Sequence, residues 1–262
     1  MRFPKGGART GPAFRMRQTV RMPATLEWQE PDGVPMLIGA ASGAPGVRVA
    51  FTCRLGGVSE APYDTLNLSS FVGDDDARVV TNRARALEKG DLGATSVALV
   101  RQVHGDRILE AGRRSGVLGE GDGVASTRGG AAAGVMSADC VPVLIAGADE
   151  IVAVHAGWRG LVGGVIDRAL ARAGRVRSAW IGPSIRDCCY EVGAEVVDAF
   201  SSAGLPVGTG RVDPGAAAAA ILARAGIEDF ASAVECTACD DRFFSHRRDG
   251  ITGRQGGFIA WT

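Results

Sequence analysis

Residues 134–160, GVMSADCVPVLIAGADEIVAVHAGWRG, contain the pattern that decides the fold of this chain. The apolar, β-branched runs Val141 to Ala146 and Ile151 to His155 predict two strands, with a turn at Gly147 to Glu150 between them. After AGWRG the pattern predicts a helix from about Leu161 to Ala173. Strands that alternate with helices in this way predict a layered α/β or α+β domain.

The rest of the chain shows the same alternation. Further strands are predicted at Met36 to Ala40, Val47 to Thr52, Ser96 to Gln102, Gly134 to Ser137, Ala179 to Gly182 and Ala233 to Cys236, and helices over Asp74 to Leu87, Gly193 to Ala203 and from Pro214 onward. Residues 119–127, GEGDGVAST, are predicted to be a turn-rich connection. Because the sequence has no internal repeat and no Pro/Ser-rich linker, we expect residues 23–262 to form a single domain.

Composition and charge exclude several classes of protein. The chain has 262 residues, 46% of them hydrophobic and 22% charged, which is enough for one sizeable core. Its 29 basic and 29 acidic residues cancel, which argues against a surface built for nucleic acid or membranes. Residues 1–22 hold six basic residues and no acidic one, and we expect a disordered leader there. With no secretory signal and no apolar run of about 18 residues, we expect a cytoplasmic protein without a membrane or nucleic-acid partner.

The six cysteines do not resemble a disulfide framework, because a chain of this length has core enough without one. Cys236 and Cys239 form one CxxC motif, but a structural zinc site needs a second pair or suitably spaced histidines, and only His246 is near. The adjacent Cys188 and Cys189 would be awkward disulfide partners. We therefore expect Cys236 and Cys239 to be small buried thiols at a strand end, which neither ligate a catalytic metal nor form a required disulfide.

The chain has three histidines, and two of them end predicted strands. His104 lies in RQVHG and His155 in AVHAG, while Cys140 ends the motif MSADC. Two imidazoles and a thiolate are good zinc ligands, and a set of three leaves a fourth position open, as in catalytic zinc sites. The spacing alone leaves open that these are core histidines and a buried thiol, since no short ligand motif joins them.

Several motifs together resemble a known family. RQVHGD, GVMSADCVPVLI, VAVHAGWRGL, IGPSI followed by CCYEVG, and CTACDDRFFSHRRDG followed by TGRQ are similar to the bacterial laccase-like polyphenol oxidases, a family now described as purine nucleoside phosphorylases with adenosine deaminase activity. Residues 52–68, TCRLGGVSEAPYDTLNL, and 72–83, VGDDDARVVTNR, resemble its amino-terminal signature. The resemblance extends from about residue 36 to 261. It departs at Arg186-Asp187, where the family more often has Gly-Pro, and this leaves the ligand motifs untouched.

The resemblance implies a four-layer α-β-β-α sandwich with a loop-built cleft, in which His104, Cys140 and His155 bind zinc. It implies phosphorolysis of adenosine, inosine, guanosine and methylthioadenosine to the free base and ribose 1-phosphate, together with deamination of adenosine to inosine. The partners would be purine nucleosides and phosphate, and the protein a monomer or a homodimer. Copper is the less favoured metal, because a multicopper oxidase needs more than three histidines.

Other polar residues are candidates for the same site. Asp139 of the ADC motif is a candidate catalytic acid or base, with a buried structural carboxylate as the alternative. Asn67 could hydrogen-bond a ribose or base, or cap a turn. A guanidinium can bind two phosphate oxygens, so the candidate phosphate ligands are Arg54, Arg83 and Arg247. The alternative for each is a surface salt bridge.

Three alternative functions remain open at this point. One is a copper-dependent polyphenol oxidase. Another is a metal-free cysteine hydrolase, with Cys140 as the nucleophile and His104 or His155 as the base. The third is a metal-stabilised interaction module, against which the open coordination position and the arginine-rich loops argue.

Overall fold

The computed structural model describes residues 23–94 and 96–262, so the predicted leader at residues 1–22 lies outside the described residues. The strands are β1 Thr25–Gln29, β2 Met36–Ala40, β3 Val47–Thr52, β4 Val97–Arg101, β5 Ile108–Glu110, β6 Gly116–Glu120, β7 Gly123–Thr127, β8 Ala132–Ser137, β9 Val141–Ala146, β10 Glu150–Ala156, β11 Ser178–Ile181, β12 Val207–Gly208, β13 Arg211–Val212, β14 Phe230–Ser232 and β15 Gln255–Trp261. The helices are α1 Asp76–Lys89, α2 Trp158–Gly163, α3 Val165–Ala173, α4 Ala194–Ser202, α5 Pro214–Arg224 and α6 His246–Asp249, with a 3-10 turn at Pro31–Gly33.

The strands form two large sheets. The seven-stranded sheet has the order β1-β2-β3-β15-β8-β4-β6, and the six-stranded sheet has the order β14-β11-β9-β10-β7-β5. Most neighbours are antiparallel, whereas β4 runs parallel to β6 and β8, β5 to β7, and β11 to β14. Since β8 and β9 belong to different sheets, the short connection that contains Asp139 and Cys140 passes from one sheet to the other.

Side chains that alternate along β9 show how the layers stack. Val143 and Ile145 pack in a core shared with α3, α4 and α5. Leu144 points the opposite way and packs with Trp180 in the core between the two sheets. On the far side, Leu87 of α1 packs against the outer face of the seven-stranded sheet. The order of layers is helix, sheet, sheet, helix, and the α-β-β-α sandwich is confirmed.

Most predicted elements are present, and those over Met36–Ala40, Val47–Thr52 and Val141–Ala146 have the predicted bounds. The helix predicted after AGWRG is two helices, because Gly164 adopts a φ of 85°, which ends the right-handed helix α2 before α3 begins. None of the helices in the described residues combines the length and the apolar composition needed to cross a bilayer.

The glycine-rich stretches differ from the prediction. Gly123–Thr127, inside the predicted turn-rich connection, is the strand β7, because β10 and β5 pair with its two edges. Gln255–Trp261, which has no alternating polar pattern, is the strand β15 inside the seven-stranded sheet. The strand predicted at Ala233 to Cys236 is wrong, since β14 ends at Ser232 and Val234 is 83% exposed. The backbone pairing of neighbours, which local composition does not encode, decides these cases.

Candidate metal-binding active site

Three strand ends bring His104, Cys140 and His155 together. His104 follows β4, Cys140 lies between β8 and β9, and His155 lies near the end of β10. Their ligand atoms all lie within 4.8 Å of one another, and the two imidazole rings are 4.9 Å apart and nearly perpendicular. His155 is buried, Cys140 is partly buried and His104 is exposed. Two imidazoles and a thiol converging from one side are a ligand set suited to a metal with an open coordination position.

The backbone is strained where two of the site residues lie. His104 has a φ of 61° and Asp139 a φ of 92°, in the left-handed region that favours glycine. Such conformations cost on the order of 1–3 kcal/mol each and persist where surrounding contacts fix them. Here the amide of Ile185 donates to the carbonyl oxygen of Asp139 at 2.9 Å, and Asp122 holds the amide of His104. The surrounding protein, rather than local preference, sets the positions of the ligand loops.

Asp122 is the residue that joins the two histidines. Its side chain is fully buried and accepts hydrogen bonds from the backbone amides of His104 at 2.9 Å and Gly105 at 2.6 Å. The same carboxylate lies 2.9 Å from Nδ1 of His155. With Nδ1 donating to Asp122, Nε2 of His155 is the nitrogen that can bind a metal, an arrangement that orients many metal-binding histidines.

Charge also prepares the site for a metal. Burial alone would raise the pKa of Asp122, but hydrogen bonds from His155 and the Gly105 amide outweigh burial and lower it. Burial alone would raise the pKa of the Cys140 thiol, but the charge of His155 and hydrogen bonds from both histidines lower it to about 6. Burial would lower the pKa of His155, whereas Cys140 and Asp122 raise it to about 9. Cys140 is therefore a thiolate at neutral pH, which is the form that ligates metals. His155 must lose the proton on Nε2 before this nitrogen can bind a metal.

The cluster lies at a cavity of about 610 Å³, which is within the size range of small-molecule sites. Aromatic side chains, three arginines and further polar groups line this cavity, among them Phe71, Trp158, Tyr190, Arg101, Arg247, Arg254, Gln102, Asp139 and His246. Phe71 is 57% exposed, so its ring is available to a ligand entering from solvent. The cavity can therefore take a ligand that has both a flat apolar part and an anionic part.

Two of the candidate polar residues from the sequence lie at this cavity. Arg247 lines it, with Nη1 donating to the carbonyl oxygen of Glu191 at 3.0 Å and the guanidinium 5.2 Å from the ring centre of Tyr190. Asp139 also lines it, but both its carboxylate oxygens accept hydrogen bonds, from the Thr237 hydroxyl and from the Arg247 amide, each at 2.7 Å. Asp139 thus fixes the loop that contains Arg247, and a catalytic role for it stays a prediction.

The other three candidates do not line the cavity. Asn67 is fully buried, and its amide group is bonded to Ser69, Asp74 and the Arg254 amide. Arg83 donates from Nε to the carbonyl oxygen of Leu68 at 2.7 Å and from Nη2 to the hydroxyl of Ser70 at 3.3 Å. Arg54 pairs with Asp64 at 3.0 Å and lies over the ring of Phe244. The turn contact of Asn67 and the salt bridge of Arg54 match the structural alternatives raised for them, whereas Arg83 bonds a main-chain carbonyl oxygen and a hydroxyl instead of a carboxylate. The proposed contacts of all three with substrate stay predictions.

Sequence reasoning missed Asp122, Tyr190 and Arg254. Tyr190 and Arg254 lie in the motifs CCYEVG and TGRQ. Polar residues in such turn-rich segments often belong to binding sites, so these motifs could have indicated both residues. Arg254 is partly buried, and within the described part of the chain its side chain hydrogen-bonds through Nη1 alone, to the carbonyl oxygens of Thr252 and Gly253. Asp122 had a weaker signal, a single acid among glycines in GEGDG.

Fold and site together define a four-layer α-β-β-α protein with a two-histidine, one-cysteine metal-type cluster in a ligand cavity. The chain belongs to the multi-copper polyphenol oxidoreductase laccase family, whose model matches residues 48–262.

Proteins similar to this chain support its assignment as an enzyme. Purine nucleoside phosphorylase YfiH of Shigella flexneri is 37% identical over 228 residues, which cover 82% of this chain and 93% of that protein. A purine nucleoside phosphorylase of Mycobacterium tuberculosis is 41% identical over 224 residues, which cover 79% of this chain and 89% of that protein. The crystal structure of YlmD from Geobacillus stearothermophilus has a TM-score of 0.80 at 30% identity and covers 89% of this chain and 98% of its own.

Gly157→Ala tests the close packing of the ligands. A Cβ at this position would lie 2.9 Å from Cδ2 of His104 and 3.3 Å from Sγ of Cys140, although the backbone φ of −72° suits any residue. We expect displaced ligands and a loss of metal affinity of about tenfold or more, measured with zinc as the probe ion by competition with a chromophoric chelator. Gly163→Ala, which meets no atom within 4 Å, is the matched control. Equal zinc affinities in the two variants would show that the space beside Gly157 does not matter.

Asp122→Asn tests the shared carboxylate. The amide that replaces it has one acceptor oxygen, and its NH2 group would face the donors of His155 and the His104 loop. We expect zinc affinity to fall by about 10- to 100-fold, with circular dichroism used to confirm that the variant is folded. Asp106→Asn, which breaks an exposed ion pair with Arg168, should leave zinc affinity unchanged. A folded Asp122→Asn protein with normal affinity would remove Asp122 from the metal centre.

Proposed function

We propose that the chain is a zinc-dependent purine nucleoside phosphorylase that also deaminates adenosine to inosine. Its nucleoside substrates would be adenosine, inosine, guanosine and methylthioadenosine, and it would act in the cytoplasm as a monomer or homodimer. The observation on which this proposal rests is one cavity lined both by His104, Cys140 and His155, here called the Cys140 cluster, and by Arg247 and Arg254. The names of the similar proteins support the phosphorylase reaction.

The donor set supports zinc at the Cys140 cluster. A thiolate and two imidazoles, one of them oriented by a buried carboxylate, fit the ligand chemistry of a catalytic zinc ion. When bound, zinc supplies a Lewis acid that activates water at neutral pH, which deamination at C6 of adenine requires. The chain has three histidines, too few for the blue and trinuclear centres of a multicopper oxidase.

The arginines supply what phosphorolysis needs. Phosphate must be aimed at C1′ of the ribose while the purine leaves, so cationic donors must hold it in place. Arg247 and Arg254 both line the cavity, and in each the side-chain hydrogen bonds within the described residues are made by Nη1 alone. Their remaining nitrogens can therefore bind phosphate oxygens as a fork.

Aromatic residues supply a site for the base. Phe71, Trp158 and Tyr190 line the cavity and offer flat surfaces on which a purine can stack. Burial raises the pKa of Tyr190, so its hydroxyl keeps its proton at neutral pH. This hydroxyl can donate a hydrogen bond to a ring nitrogen of the base, which gains electron density as the glycosidic bond breaks.

The activity itself is tested with purified protein of known metal content. Adenosine should yield adenine when phosphate is present and inosine with or without phosphate, as separated by chromatography. Cys140→Ala should lose zinc and both products, because the thiolate is one of the three ligands. A zinc-free protein that keeps full activity and is inactivated by iodoacetamide would favour the cysteine hydrolase instead. Oxygen uptake with a phenol by copper-loaded protein, without nucleoside turnover, would favour the polyphenol oxidase.

Arg254→Met and Arg247→Met separate the two reactions. Loss of one charge-assisted hydrogen bond to phosphate costs about 1.5–3 kcal/mol, so adenine release should fall by about 10- to 150-fold. Deamination without phosphate should stay within a few fold of wild type. Arg168→Met, on the exposed face of α3, is the control for loss of a guanidinium outside the cavity. Equal loss of both activities would mean that these arginines hold the nucleoside or the fold, and not phosphate.

A further inference from the structure

A second group of metal-type ligands lies outside the cavity. It consists of the thiols of Cys188, Cys189, Cys236 and Cys239, whose sulfur atoms all lie within 4.8 Å of one another. The sulfur of Cys239 is 3.0 Å from that of Cys189 and 3.5 Å from that of Cys188. All four are free thiols. We call this group the four-cysteine cluster.

We propose that the four-cysteine cluster binds one zinc ion at a structural site distinct from the Cys140 centre. Zinc bound tetrahedrally by four thiolates has Zn–S distances of about 2.3 Å, which places the sulfurs about 3.8 Å apart. That separation lies between the 3.0 Å that separates the sulfurs of Cys189 and Cys239 and the limit of 4.8 Å for the whole cluster. Four thiolates leave no position for water or substrate, as in closed structural zinc sites.

The main chain, rather than side-chain packing, brings the sulfurs together. In one turn the carbonyl oxygen of Arg186 accepts from the amide of Cys189 at 2.9 Å, and in the other Cys236 accepts from the amide of Cys239 at 3.1 Å. The amide of Arg186 donates to the sulfur of Cys236 at 3.4 Å, which joins the two turns. The guanidinium of Arg211 donates to the carbonyl oxygen of Cys188 at 3.0 Å and so helps to fix the first turn.

A disulfide explains this arrangement less well. A disulfide joins two sulfurs at about 2.05 Å and would leave the other two thiols of the cluster without a role. Cys239 has two near neighbours, Cys189 and Cys188, rather than one partner. A single ion uses all four sulfurs at once. The Cys236–Cys239 motif needs a second pair of ligands. That pair is Cys188 and Cys189, which are neighbours in the chain but distant in sequence from the motif.

The two turns of the four-cysteine cluster also hold residues at the cavity. Tyr190 follows Cys189 directly and lines the cavity. Thr237 follows Cys236 and donates to the carboxylate of Asp139 at 2.7 Å. A zinc ion that binds both turns would keep Tyr190 and Asp139 in place, although it touches neither the substrate nor the Cys140 cluster. The ion therefore acts as a positioning metal for the carboxy-terminal side of the cavity.

Metal content measures this site without any activity assay. Protein is reconstituted with zinc under reducing conditions, freed of excess metal and analysed for zinc per chain. We expect two zinc ions in the wild type and one in Cys188→Ser/Cys239→Ser, which changes only exposed side chains and so removes no core packing. Ala238→Ser, which adds a hydroxyl inside the same CxxC turn, is the matched control and should keep two. In cobalt-loaded protein the double variant should lose part of the thiolate-to-cobalt absorption that the control retains.

The outcomes separate this site from the proposed function. Cys140→Ala should lose one zinc ion and keep the one lost in Cys188→Ser/Cys239→Ser. If the wild type binds a single zinc ion that only the double variant loses, the four-cysteine site stands and the zinc-dependent function fails. A wild type with one zinc ion that Cys140→Ala loses, or a folded double variant that keeps two, would overturn the four-cysteine site. So would a disulfide within the cluster that persists in the reduced, zinc-treated protein.

Discussion

The buried carboxylate of Asp122 is the interaction on which the metal-binding site depends. It accepts from the backbone of the His104 loop and from the imidazole of His155, so one side chain fixes a ligand on each of two separate segments. A buried carboxylate without such partners would be costly, and each donor offsets part of the cost of removing it from water. The dependence is mutual, since the histidines need the carboxylate for their position and the carboxylate needs their donors to remain charged.

The sequence pattern predicts the layered α/β class, and the family resemblance adds the four-layer order and the three ligands, but the surroundings of the ligands could not be predicted. Val141–Ala146 has a β-branched apolar pattern that a short window reveals, and His104, Cys140 and His155 lie in distinctive motifs. Asp122 and the strand Gly123–Thr127 have no such local signal, because their environment comes from pairing with β10 and β5. Nothing in the local sequence separates Arg83 from Arg254, and only the packing shows that Arg254 lines the cavity and Arg83 does not.

The lining of the cavity has two parts of different construction. The metal-binding part is built on strand ends, with short connections fixed by backbone hydrogen bonds. The second part is built from turns near the carboxy terminus, in which Arg247 and Arg254 are placed by bonds to main-chain carbonyl oxygens. Rigid strand ends suit groups that must hold a metal within tenths of an ångström, whereas turns can adjust to substrates of different shape.

Because the chain passes from β8 in one sheet to β9 in the other, the metal-binding site joins the two sheets. His104 follows a strand of the seven-stranded sheet, His155 belongs to the six-stranded sheet, and Cys140 lies on the crossing between them. Sliding of one sheet over the other would separate the ligands, so occupancy of the centre and the alignment of the sheets are thermodynamically linked. Bound metal would then oppose movement between the sheets, and we expect a substitution at Trp180, in the core between the sheets, to change metal affinity from a distance.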